Sequence, residues 1–185
     1  MPHLSRWFAY TALLGGGIAG IIMAEGKKIA MCGFALYAIH GAFGFLEILT
    51  NNDTFYSLNR DYTVVLSSAL CQGLITTDYC IMSGLEAKKS CGLNLVCPVL
   101  YLLVVYIIRN GDLYFIGDLG HGISCVVCAY YGFDKSQYMA YIVSLFYVII
   151  HFSKLYYNES WILAGITSFC AGMLLAGKDF STLFK

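Results

Sequence analysis

The sequence predicts an all-α, polytopic membrane protein: a single bundle of seven transmembrane helices with no soluble domain. Three observations predict it. Of the 185 residues, 59% are apolar and 12% charged, against about 45–50% and about 25% in a typical soluble domain. The 11 Lys and Arg balance the 11 Asp and Glu, and the mean hydropathy is +0.70; such a chain would precipitate from water as a monomer. The apolar residues also fall in runs close to the roughly 17–25 residues that cross a bilayer as a helix, not in the short alternating segments of a membrane barrel. The same numbers are the reverse of a disordered composition. They leave no basic excess to neutralise phosphates, which argues against nucleic acid as a partner.

Seven runs qualify, and polar breaks mark each one. The first, 7–24, follows Arg6 and ends at Glu25-Gly26-Lys27-Lys28. It is longer than the roughly 7–15-residue core of a signal peptide, so a retained span is expected; cleavage would leave six. The second, 29–50, ends at Asn51-Asn52-Asp53, which begins the longest loop, closed by Arg60-Asp61. The third, 62–85, ends at Glu86-Ala87-Lys88-Lys89. The fourth, 93–108, carries Pro98 near its start, where a missing N–H costs least. Arg109-Asn110-Gly111-Asp112 separates it from the fifth, 113–133; Asp134-Lys135 precedes the sixth, 138–157; Asn158-Glu159 precedes the seventh, 161–177. Seven spans of about 20 residues leave only tight connections.

Charge orients the bundle. Arg6, Arg60, Arg109 and Lys154 fall on the N-terminal side, and Lys27, Lys28, Lys88, Lys89, Lys135, Lys178 and Lys185 on the other. Basic residues favour the cytoplasmic face, so the C-terminus is expected in the cytosol and the N-terminus outside or in a lumen. Two glycosylation sequons, at Asn52 and Asn158, fall on that outer side, where acceptors must lie. A eukaryotic secretory-pathway or plasma membrane is the expected location. Trp7 and Trp161 fall at the same outer boundary, as interfacial aromatics do.

Stripes of small residues let helices approach closely in lipid. The first run carries Ala12, Gly16, Gly20 and Ala24; the fifth carries Gly120, Ser124, Cys128 and Gly132; the seventh carries Ala164, Ser168, Gly172 and Ala176. Gly16, Gly20, Ser168 and Gly172 are therefore expected helix-packing positions. They serve either intramolecular packing, with the first and last helices meeting, or a groove for another membrane protein.

Titratable groups inside spans are costly and mark candidate sites. They are His40, Glu47, Asp78, Asp118, His121 and His151. His40 and Glu47 are seven apart, and Asp118, His121 and Cys125 are three and four apart, so each set shares one helix face. By helix rise, Glu47, Asp118 and His151 lie near the outer end, His121 slightly deeper, His40 near mid-membrane and Asp78 towards the cytosolic end. Convergence of Glu47, Asp118, His121 and His151, with His40 beneath, would suit zinc or non-haem iron. His121, His151 and His40 would then be metal ligands, and Glu47 and Asp118 catalytic carboxylates. The same residues would suit a proton or cation path. Snorkelling into headgroups is the non-functional alternative. Asp78, near Gln72, Thr76 and Thr77, is expected to be a satisfied buried group.

Eight cysteines lie almost wholly within spans, where free Cys acts as a small hydrophobe. Cys125-Val126-Val127-Cys128 resembles the intramembrane C-x-x-C of vitamin K epoxide reductases, but no lumenal cysteine pair accompanies it. The minimal loops and small-residue faces give the first functional expectation, an accessory subunit or assembly factor bound to another membrane protein. A metal-dependent enzyme acting on a lipid and a small proton- or cation-coupled transporter are the alternatives.

Overall fold

The computed structural model describes residues 2–50, 52–153 and 155–178. Its helices, in chain order, are α1 (Pro2–Met23), α2 (Lys28–Thr50), α3 (Asp53–Leu58), α4 (Val64–Met82), α5 (Ala87–Tyr101), α6 (Phe115–Asp134), α7 (Tyr138–Phe152) and α8 (Tyr157–Leu175). A π-helical turn, Asn59–Thr63, joins α3 to α4, and a second, Leu102–Ile107, extends α5. The described residues thus form an all-helical bundle of seven rods. Five of them, Ser5–Met23, Lys28–Thr50, Asp53–Met82, Ala87–Ile107 and Gly111–Asp134, are long and apolar enough to cross a membrane.

Two boundaries differ from the expected ones. Within the loop expected over 51–61, residues 53–61 are helical, because the Asn52 side chain accepts from Thr54 N at 2.8 Å and caps α3. Asp53 in the first turn adds a favourable charge at the positive helix end. The third rod therefore starts nine residues before 62. The sixth rod stops at Phe152 rather than 157, because Ser153 turns extended, with φ −92° and ψ 159°. Its 15 residues span about 22 Å at about 1.5 Å per residue, short of the roughly 30 Å hydrocarbon core.

The rods form a closed ring in chain order, with α8 returning onto α1. The third rod also packs on α6 and α8, which makes it the central one. Lipid offers no hydrogen bonds, so polar groups collect on this rod and find partners within the bundle, Thr76 Oγ1 excepted. Ser67, Gln72, Thr76, Thr77 and Asp78 are all buried there. Thr77 Oγ1 donates to Gly73 O at 2.7 Å, and Ser90 Oγ donates to Thr77 O at 2.8 Å.

Asp78 reaches across to the start of α2, where its Oδ2 accepts from Ala30 N at 2.7 Å in a buried position. It therefore caps a neighbouring helix, satisfying one of the N–H groups that a helix start leaves bare. Asp78→Ala is expected to lower stability by about 1–2 kcal/mol, read as an earlier unfolding midpoint in detergent. Asp78→Asn keeps an acceptor and is expected to cost less.

The small-residue stripes meet one another. A Cβ on Gly16 would collide with the Gly165 carbonyl, one on Gly165 with the Ala12 backbone, and one on Gly172 would sit 3.0 Å from Gly20 Cα. Gly16, Gly20, Ser168 and Gly172 are all buried along this α1–α8 seam. The α6 stripe is covered as well, with Gly120 against Pro98 and Gly132 against Ala140.

Candidate functional site

His121 lies six residues into α6, about 9 Å below its start by helix rise. Gln72, one turn beyond Ser68 on α4, holds it. Gln72 Nε2 donates to the His121 carbonyl at 3.2 Å and to Cys125 Sγ at 3.0 Å, while Gln72 Oε1 lies 3.0 Å from His121 Nδ1. A carbonyl oxygen only accepts, so the amide nitrogen must face it and Oε1 must face the ring. His121 accordingly carries its proton on Nδ1 and keeps a lone pair on Nε2. His151, from the end of α7, stacks on this ring with centroids 3.5 Å apart and planes 12° from parallel. His151 Nε2 is buried without a partner.

His121 and His151 line a cavity of about 300 Å³ together with Asp118, Ser68, Tyr101 and Tyr114. Asp118, one turn before His121, is exposed and stands where this polar cavity meets an apolar groove of about 460 Å³. That groove runs down α6 along Leu119, Gly122, Ile123 and Val126, with Phe152 opposite. On its other side, the histidine cavity shares Ser68 and His151 with a cavity of about 390 Å³ walled by Tyr37, Tyr157 and Trp161.

Glu47 stands apart from this group. Its Oε1 accepts from Arg6 Nη2, and its Oε2 accepts from Asn59 Nδ2 at 2.9 Å. Asn59 also donates to Tyr10 OH at 3.2 Å and accepts from Thr63 Oγ1 at 2.6 Å. The π-helical turn aims Asn59 inward, and such turns often mark functional positions. Arg6, Glu47 and Asn59 line a separate cavity of about 300 Å³, which touches the chain of cavities only through Tyr157.

His40 is separate again. Ser67 Oγ donates to Val64 O at 3.1 Å, so at 2.9 Å it accepts from His40 Nδ1. The ring meets Trp161 edge-on at 4.2 Å. Trp161 is buried four residues into α8 and supports the core near His40.

Of the five residues expected to converge, the structure thus brings together His121, His151 and Asp118, and leaves Glu47 and His40 with other partners. Among the described residues, no three His, Cys, Asp or Glu side chains are placed to hold a metal ion. The physical reason is that Glu47 and His40 are turned on α2 towards other partners: Arg6 and Asn59 satisfy Glu47, and Ser67 holds His40 Nδ1, while His40 Nε2 is buried without a partner. The eight cysteines are free; Cys125 accepts from Gln72, whereas Cys128 Sγ donates to Ala140 O at 3.7 Å. Sequence reasoning missed Gln72, Arg6 and Asn59 as partners. A lone amide in an apolar run was the available signal for Gln72; Asn59 gave none, because an expected loop hid it.

No known protein family, curated protein or solved structure matches the chain.

Proposed function

We propose that the chain is a membrane-embedded acid–base enzyme that acts on a lipid, with His121 as its base. The observation that carries this reading is the Gln72 clamp, which fixes the imidazole with its lone pair on Nε2. A group fixed in tautomer and position is what proton transfer requires. Water entering past Asp118 gives a proton to Nε2 while its oxygen attacks an ester or phosphoester. The imidazolium then returns that proton to the departing oxygen. His151 keeps the ring in place by stacking. A lipid is favoured because the polar cavity and the apolar groove meet at Asp118, which offers a reacting bond and a tail adjoining places.

The reading as an accessory subunit has less support, since the small-residue faces that would receive a partner are covered within the chain. The test is to incubate the purified chain in nonionic detergent with short-chain glycerolipids and glycerophospholipids, and to follow products by mass spectrometry. Product formation that His121→Ala lowers by about 10²–10⁴-fold, and that His40→Ala leaves within a few-fold, is the expected result. No product from any class, or full activity in His121→Ala, refutes it.

We also propose that the end of the bundle carrying Arg6, Asn52 and Asn158 faces outward or into a lumen. The basic residues and the two sequons support this; Lys154 and Lys185, which contribute to the charge count, lie outside the described residues. Asn52 is exposed, whereas Asn158 Nδ2 is engaged, donating to Ser5 Oγ at 2.9 Å. A glycan is therefore expected on Asn52 and not on Asn158. Glycosidase digestion should shift the mobility of the wild type and Asn158→Gln, and leave Asn52→Gln unmoved.

A further inference from the structure

The cavity beneath the N-terminal end of α1 has a composition that the acid–base reading does not use. Two arginines and one glutamate line it, Arg6, Arg60 and Glu47, and each guanidinium is paired with one carboxylate, Arg6 with Glu47 and Arg60 with Asp61. Arg6 is anchored by Glu47, and Glu47 is anchored in turn by Asn59, which leaves the guanidinium fixed in place before any ligand arrives. Arg60 comes from the π-helical turn, lies over the Tyr56 ring at 5.3 Å, and gives two of its N–H groups to Asp61 at 2.7 and 3.3 Å. A guanidinium has five N–H donors in a rigid fork, so each arginine keeps donors beyond those in these bonds. Tyr10, Tyr56 and Tyr157 complete the walls.

We infer that this cavity binds the phosphate of a lipid headgroup, held by Arg60 and Arg6. The inference rests on the lipid reading above and names the substrate class for it. Arginine forks match phosphate oxygens in a bidentate way, and bonds of that kind are stronger than neutral ones. Tyr157 is shared with the next cavity, which shares Ser68 and His151 with the histidine cavity, which in turn shares Asp118 with the apolar groove. The four cavities therefore adjoin one another in series.

The experiment measures binding, not turnover. The chain in nonionic detergent is titrated with dihexanoyl phosphatidic acid, dihexanoylglycerol and inorganic phosphate, and thermal stabilisation is followed. Stabilisation by the phosphatidic acid, none by the diacylglycerol, and a roughly tenfold weaker effect in Arg60→Gln are expected. Arg60→Lys keeps the charge without the fork and should fall between. Arg60 is largely exposed, so the unliganded melting point of both variants should match the wild type. Equal stabilisation by inorganic phosphate would support the phosphate site and assign it to the free anion. Equal stabilisation by dihexanoylglycerol, or undiminished binding in Arg60→Gln, overturns the inference. His121→Ala should bind as the wild type does. A chain that binds phosphatidic acid and transforms no lipid would sink the enzyme reading and leave this site standing.

Discussion

Gly165→Ala is expected to force the α1–α8 seam apart. The new Cβ would land on the carbonyl of Ala12 and lie 2.8 Å from Leu13 N. Both are backbone atoms of a helix, which cannot rotate aside as a side chain would. Either the helices separate or the backbone bends, and each route loses the close contact that holds helices together in lipid. Overpacking of a filled interior costs about 1–3 kcal/mol. The upper part of that range is expected here, because α8 on α1 is the contact that closes the ring. The measurement is unfolding by chaotrope or heat in detergent, with size exclusion to register a swollen particle. Gly15→Ala is the control. Gly15 adjoins Gly16 on the same helix but has no atom within 4 Å of its added Cβ. It should be neutral, or more stable by up to about 0.5–1 kcal/mol from the better helix propensity of alanine. Equal losses at the two positions would mean that the seam is not where these contacts put it.

That contrast also shows how much of the fold was legible. Two glycines side by side look alike in composition, yet the four-residue spacing of Ala12, Gly16 and Gly20 separates the buried one from the exposed one. Spacing likewise marked the matching face of α8, and the long apolar runs gave all seven rods. What spacing could not give was the length of the third rod. A capping asparagine followed by an aspartate starts a helix as readily as it fills a loop, and only packing of the π-helical turn against α1 and α2 settles it. Ser153 shows the opposite case. The apolar run passes through it to Tyr157, but the backbone turns extended there, so hydropathy overshoots the end of α7.

The site was legible to a similar depth. Helical spacing put Asp118 and His121 on one face, and helix rise put His151 at a similar level, which was enough to bring those three together. It was not enough for Glu47. A carboxylate at that level has two solutions, joining the histidines or meeting a cation, and the cation lay in a distant stretch of chain. Arg6 is 41 residues away; nothing local to Glu47 announces it. Asp78 has the same character, since its partner is a backbone N–H, and a backbone group leaves no mark on the sequence.

The second large effect concerns Gln72, a positioning residue. Gln72→Leu removes the acceptor that keeps the proton on His121 Nδ1 and the two donors that tie α4 to α6. The ring is then free to put its proton on Nε2, where the lone pair is needed. If His121 is the base, turnover of the phosphate-bearing lipid should fall by an order of magnitude or two, less than the loss of the base itself. The change should fall on kcat, with binding of phosphatidic acid unaltered, because the arginine cavity is untouched. Gln72→Glu separates tautomer control from packing. A carboxylate still accepts from Nδ1–H but cannot donate to the His121 carbonyl or to Cys125, so it should lose stability much as leucine does. It should nevertheless retain more turnover than leucine. A stacking variant, His151→Phe, keeps a flat ring against His121 and should lose only a few-fold, whereas His151→Ala, which leaves the ring unsupported, should lose more. Were Gln72→Leu and Gln72→Glu equally slow and equally unstable, the amide would be holding helices together, and the imidazole would need another source for its orientation.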